Sequence, residues 1–199
     1  MKNLVVNTLV NFVTSNQEID EIKKAELKYC FSSIYLTYSK LVIITLVAFL
    51  LGFIKEYLLF LLAYNLIRTF SFGLHATKSW MCWISSSIIF LGIPYVSTLI
   101  TIPIFIKVIV GSYLIIRFYM NSPADTVKRP IVSQKRRLFF KYVSTILVFI
   151  YILTSIITKN NLISNILFLS SIVQAIVISP YTYKLFKLPF NNYKKFITE

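Results

Sequence analysis

From Ser79 to Ile106 the chain runs 28 residues without a charge, and this run constrains the fold more than any other feature of the sequence. About 20 mostly apolar residues cross the hydrocarbon core of a bilayer, so the run holds material for more than one crossing. Thr101-Ile102-Pro103 offers a turn inside it, and Pro94 a kink. Hydrophobic residues make up 57% of the 199-residue chain and charged ones 14%. A soluble domain is typically ~45–50% apolar and ~25% charged, so the apolar excess belongs in lipid.

Six spans emerge on this criterion, at about 34–54, 56–72, 83–101, 103–120, 142–158 and 161–180. The second is the weakest. Its uncharged core runs only from Tyr57 to Ile67, and it reaches spanning length only with Arg68 inside or at the end of the helix. The last two are bounded by Lys141, Lys159 and Lys184, with Lys159-Asn160-Asn161 as their hairpin. The expected fold class is all-α, a polytopic integral membrane helix bundle, with residues 1–199 forming one membrane domain.

Residues 1–33 read as an interfacial amphipathic segment. Thr14-Ser15-Asn16 interrupts a first apolar pattern, and Ser15 with Glu18 makes a capping box for a second helix. Ile19, Ile22 and Ala25 lie on one side of that helix and Glu21, Lys24 and Lys28 on the rest, the pattern of a segment lying on a membrane surface. No compact apolar run with a small-residue cleavage site appears in the first thirty residues, so the first span is expected to stay in the mature protein.

Charge sets the orientation. The stretches 1–40, 68–78, 117–141 and 184–199 contain 5, 2, 7 and 4 of the 21 Lys and Arg, leaving only Lys55, Lys107 and Lys159. With six spans the four rich stretches share one side, which the positive-inside rule makes cytoplasmic. The expected placement is a multi-pass protein of the cell membrane with both termini in the cytoplasm. The net charge of +14 is therefore read as topological, with anionic membrane lipid as its partner and no nucleic acid.

The stretch from Asn65 to Cys82 is chemically the richest, because it holds the only histidine, His75, together with Arg68, Gly73 and Cys82. A thiolate attacks an acyl carbon, and an imidazole beside it takes the thiol proton and returns it to the leaving amine. On one straight helix a seven-residue separation places the two groups about 10 Å apart, beyond the roughly 3 Å that proton transfer needs. A bend after Gly73 is therefore required, and glycine tolerates it. Asn65 and Ser71 are both candidates for the group that orients the imidazole. Arg68 is costly near membrane depth and suits stabilisation of an oxyanion or the grip of a substrate carboxylate. The bland alternatives are a packed thiol, a structural histidine and a topological arginine; Cys30, with no local partner, reads as packing.

A second motif, Asn121-Ser122-Pro123-Ala124-Asp125-Thr126-Val127-Lys128-Arg129-Pro130-Ile131, follows the fourth span. Ser122 to Asp125 reads as a turn, and Lys128 and Arg129 as fixed positive charges, either an ordinary basic loop or a clamp for an acidic substrate.

Arg68, Gly73-Leu74-His75-Ala76, Cys82 and the Ser122–Ile131 motif, in this order on a chain of this size, resemble the accessory gene regulator B (AgrB) family of Gram-positive quorum-sensing peptidases. The resemblance covers essentially the whole chain. It implies that Cys82 is the nucleophile and His75 the general base, that Arg68 and Gly73 support the site, and that an AgrD-like precursor peptide is the substrate. It further implies cleavage through an acyl-thioester and closure of a thiolactone or lactone ring, in a pocket under Trp80 and Trp83 that disfavours water. One departure is Phe72, where relatives often carry a second glycine. No cofactor and no metal enter this chemistry, and a homodimer stands beside a monomer as an open state. The rival reading is a non-catalytic peptide exporter or membrane scaffold, for which Cys82→Ala would leave function intact.

Overall fold

A computed structural model describes residues 2–15, 20–74, 79–126 and 130–196. Every regular element among them is a helix, as the apolar runs predict. The chain divides into two compact units, Met1–Leu51 and Gly52–Glu199.

The first unit holds α1 (Lys2–Thr14) and α2 (Glu21–Leu50), which pack on each other. α1 buries Val6 and Val10, one turn apart. α2 runs unbroken for 30 residues, so the boundary expected between residues 33 and 34 is not a break. The reason is local: no glycine or proline interrupts Glu21–Leu50, and helix propensity carries the basic first turns straight into the apolar ones. At ~1.5 Å per residue α2 is about 45 Å long, so it outruns a ~30 Å hydrocarbon layer. Cys30, expected as a packing residue, is exposed on α2, whose buried residues are Ile44 and Ala48. Glu18 of the expected capping box lies outside the described residues.

The second unit comprises α3 (Ile54–Ser71), α4 (Ser79–Ser87), a π-helical turn (Ile88–Gly92), α5 (Ile93–Leu99), α6 (Ile104–Asn121), α7 (Gln134–Ile157), α8 (Asn161–Val177), α9 (Pro180–Leu185) and a 3₁₀ turn (Asn192–Phe196). Pro94 removes one backbone donor from the span, and the widened π turn directly before it absorbs the mismatch without ending the helix. The expected hairpin forms at Asn160, whose side-chain oxygen accepts the backbone N–H groups of Leu162 and Ile163 at 3.0 and 3.2 Å.

Among the described residues four helical segments are long and apolar enough to cross a membrane: Glu21–Leu50, Trp80–Leu99, Ile104–Asn121 and Gln134–Ile157. The other two expected spans are α3, of 18 residues carrying Lys55, Glu56 and Arg68, and the 17-residue apolar α8. Leu62, Ile109 and Ile157 are each at least two-thirds exposed, the outward apolar surface of a helix bundle built for lipid.

α8 lies at the centre of this unit, against α3, α5, α6 and α7. Its buried face mixes Ile166 and Phe168 with Ser164, Ser170, Ser171, Asn165 and Gln174. Small hydroxyl residues let membrane helices approach closely and bond to one another. Lys107 in the first turn of α6 is buried and donates to Ser164, which donates to the Ser155 carbonyl. Asn165 Nδ2 donates to the Ser97 and Ile100 carbonyls at 3.1 and 2.6 Å, securing the end of α5. The segments that follow α3, α6 and α8 are joined to one another and to the first turn of α7 by hydrogen bonds. Arg68, Arg117, Arg136, Arg137 and Lys141 sit in the helix turns at this end.

Candidate active site

α3 stops at Ser71 because the next two residues leave helical space. Phe72 takes φ 58°, ψ −133° and Gly73 takes φ +119°. The break thus begins one residue earlier than the expected bend after Gly73. It also falls at Phe72, where the resembled family often has glycine, and a positive φ is costly for an aromatic residue. The conformation is held from several directions.

The first hold is a two-bond parallel bridge to the second motif. Ala124 N–H donates to the Ser71 carbonyl at 3.0 Å, and Gly73 N–H to the Ala124 carbonyl at 2.9 Å. The two motifs that the sequence keeps apart are therefore one backbone-paired strap. Pro123 lies in a bend with the Ser122–Pro123 peptide cis, within the expected turn, and Ala124 just beyond it makes the bridge.

The second hold comes from α8. Gln174 Nε2 donates to both Ser71 Oγ and the Phe72 carbonyl at 2.6 Å. Leu74 N–H reaches the Val177 carbonyl at 3.3 Å. A β-carbon on Gly73 would meet Val177 Cγ1 at 2.7 Å, so position 73 requires glycine for space as well as for φ.

The third hold is Arg68. Its guanidinium donates to the Tyr64 hydroxyl at 2.7 Å and to the Leu74 carbonyl at 3.1 Å. These bonds use the arginine to position the residue immediately before His75.

Asp125 anchors the other strand of the strap. Its side chain is fully buried and accepts the backbone N–H groups of Asn192 and Tyr193 at 3.1 and 2.9 Å, and Arg137 at 3.3 Å. Arg137 also lies 3.4 Å over the Tyr193 ring. The Tyr183 hydroxyl donates to the Ala124 and Asp125 carbonyls. Burial pushes this phenol well above its usual value, the Asp125 charge adds to the rise and Arg68 opposes it.

Cys82 occupies the first turn of α4 and is half-buried; its carbonyl accepts the Ser85 hydroxyl at 3.4 Å. Trp83 beside it is half-buried and Trp80 is exposed. His75 lies outside the described residues, as do Lys128 and Arg129. α3 ends at Ser71, and Phe72 to Leu74 leave the helix, so α3 does not run on into the helix that carries Cys82. Of the two candidates for orienting the imidazole, Asn65 donates to Leu61 O on an exposed face of α3, and the Ser71 hydroxyl is buried between Ile67 O and Gln174.

Sequence reasoning passed over Gln174, Tyr183 and Asn192. A polar amide inside an otherwise apolar span was the available signal for Gln174; Tyr183 and Asn192 carried none.

The fold and this strap define a polytopic helical membrane protein whose cysteine-bearing helix follows a glycine-hinged loop paired to a distant basic loop. The model of the family Accessory gene regulator B matches residues 6–178, and the chain belongs to that family. It is 29% identical over 181 residues to an AgrB-like protein of Clostridium acetobutylicum, covering 90% of this chain and 86% of the relative. A Listeria monocytogenes AgrB-like protein is 27% identical, covering 89% and 87%. Protein FsrB of Enterococcus faecalis is 26% identical, covering 89% and 73%. No solved structure matches the chain. The family takes part in accessory gene regulation and quorum sensing.

Proposed function

We propose that the protein is a membrane-embedded cysteine endopeptidase that cuts an AgrD-like precursor at the cytoplasmic face and promotes ring closure of the signal peptide. The observation that carries this reading is the strap. The loop entering His75 is fixed by bonds from α8, Ala124 and Arg68, and a half-buried cysteine follows on a new helix. Holding Phe72–Leu74 in place costs backbone strain at Phe72, of the kind that recurs at functional sites.

In the proposed reaction His75 takes the thiol proton and the Cys82 sulfur attacks the carbonyl carbon of the signal segment's last residue. The C–N bond breaks, His75 protonates the departing amine, and the signal segment remains on Cys82 as a thioester. A thiol or hydroxyl of that segment then attacks the same carbon, closing the ring and returning Cys82 as a thiolate. Gly73 supplies the turn and Arg68 orients the loop. Lys128 and Arg129, with Lys135 and Arg136, supply positive charge for an acidic substrate tail, while Arg137 is taken up by Asp125. The whole chain acts as one membrane domain in the cell membrane, with both termini and this end of the bundle in the cytoplasm.

Co-expression of an AgrD-type precursor with wild type, Cys82→Ala and His75→Ala tests the reading. Wild type is expected to shorten the precursor and both variants to leave it full length. A precursor still shortened by Cys82→Ala would sink the proposal.

A further inference from the structure

Ile109, Tyr113, Ile116 and Met120 follow one another at intervals of four, three and four residues along α6, so they form a stripe down one helix face. Each is more than half exposed. In a bilayer such a stripe faces acyl chains. Arg117 borders it about one turn before α6 stops at Asn121. An arginine at that depth extends its stem towards the headgroups, and here its course is fixed. The guanidinium donates to Ser179 Oγ at 3.1 Å and lies 5.9 Å from the Tyr113 ring centre and 5.8 Å from that of Tyr181.

α9 completes the surroundings. Tyr181, Lys184 and Leu185 share its outer face, three and four residues apart. Tyr181 and Leu185 are 77% and 78% exposed. Aromatic, aliphatic and cationic side chains side by side on an outer face are what the membrane interface selects. Among the described residues neither Arg117 nor Lys184 pairs with a carboxylate, whereas Arg137 is held by Asp125.

We propose that Arg117, Lys184 and Tyr181 bind one anionic phospholipid, with its phosphate on the two cations and an acyl chain along the α6 stripe. The guanidinium fork matches two phosphate oxygens. A headgroup carrying its own ammonium, as in phosphatidylcholine, meets the second cation with like charge; phosphatidylglycerol does not. An acidic peptide would use the cations and leave the stripe bare. The site stands apart from the peptidase reading but touches the strap. Tyr183, on the inner face of α9, donates to the Ala124 and Asp125 carbonyls, and Ser179 follows two residues after the Val177 carbonyl that accepts Leu74 N–H. Lipid held outside α9 steadies the strap inside it.

The test uses the full chain in detergent with added phosphatidylglycerol or phosphatidylcholine, bound lipid being counted by native mass spectrometry. Wild type is expected to hold one phosphatidylglycerol in preference to phosphatidylcholine. Arg117→Gln and Lys184→Gln are each expected to weaken it by about tenfold. Lys184 is exposed, so its variant reports on binding even if loss of the Ser179 bond perturbs the other. Lys159→Gln removes an equal charge at the α7–α8 hairpin and should change nothing. At ten times its dissociation constant the lipid should slow amide exchange of Gly73 and Ala124 by up to about tenfold in wild type, and not in Lys184→Gln. Three results would overturn the site: equal retention of the two lipids, equal weakening by Lys159→Gln and Lys184→Gln, or displacement by glycerol phosphate at matched concentration. Unchanged exchange at Gly73 and Ala124 with lipid bound would overturn the link to the strap.

Discussion

Gly73 and Val177 stand so close that a β-carbon on Gly73 would lie 2.7 Å from Val177 Cγ1, and the same residue holds φ +119°. Space and backbone angle make one demand twice. Gly73→Ala is expected to cost about 1–3 kcal/mol from the backbone alone and to abolish precursor processing. Gly92→Ala, where a β-carbon meets nothing within 4 Å, should be close to neutral. Thermal unfolding in detergent and precursor cleavage measure both.

Phe72 inverts the ordinary ranking of glycine and alanine. Because φ is 58° there, Phe72→Gly should be more stable than Phe72→Ala by about 1 kcal/mol. Comparing the two variants cancels the lost contact with Phe140. An alanine variant as stable as the glycine one would remove the claim of strain.

Gln174 donates twice into the strap from a fully buried position. Gln174→Leu leaves the Phe72 carbonyl without that donor and should destabilise by about 1–3 kcal/mol, with processing lost at unchanged membrane insertion. Unfolding midpoints and fractionation of membranes give the two readouts.

Tyr183 provides a pH signature. Its folded pKa lies above the ordinary value of 10.0, so the folded state keeps a proton that the unfolded chain releases. Its contribution is complete below about pH 10 and falls as pH rises beyond it. Wild type should lose stability with a steeper alkaline slope than Tyr183→Phe, which is less stable at neutral pH but lacks this titration. Unfolding midpoints across pH 9 to 11 check the difference.

Charge reversal at Lys128 and Arg129 should slow cleavage of an acidic-tailed precursor and spare one whose tail charges are reversed to match. Rates for the four combinations of enzyme and precursor decide it, and equal rates throughout would remove the basic loop from substrate recognition.

Helical spans were readable wherever periodicity gave way to long uncharged runs, as in α7 and α8. The hairpin at Asn160 was readable because a local side chain caps the next helix. The start of the first span was not: nothing in Glu21–Tyr38 separates an interfacial helix from the outer turns of a crossing one, and α2 runs through both stretches as one helix. At the site, the residue types and their order were legible, including the need for a bend near Gly73. The placement of that bend at Phe72 was not, because it depends on Gln174 and Ala124, which lie far away in sequence. Asp125 looked like a turn residue because its donors, Asn192 and Tyr193, come from the last turn of the chain. Arg68 looked like an electrostatic group, and its bond to the Leu74 carbonyl makes it a positioning one.

The strap also dictates when the protein becomes complete. Its first strand leaves α3, its second follows α6, its donors sit at the end of α8, and its anchor on Asp125 arrives with residues 192 and 193. A nascent chain that has already inserted His75 and Cys82 still lacks every long-range bond that shapes Ser71–Leu74. Ribosomes must finish the polypeptide before this centre exists, so a chain truncated after α7 would insert and remain inert.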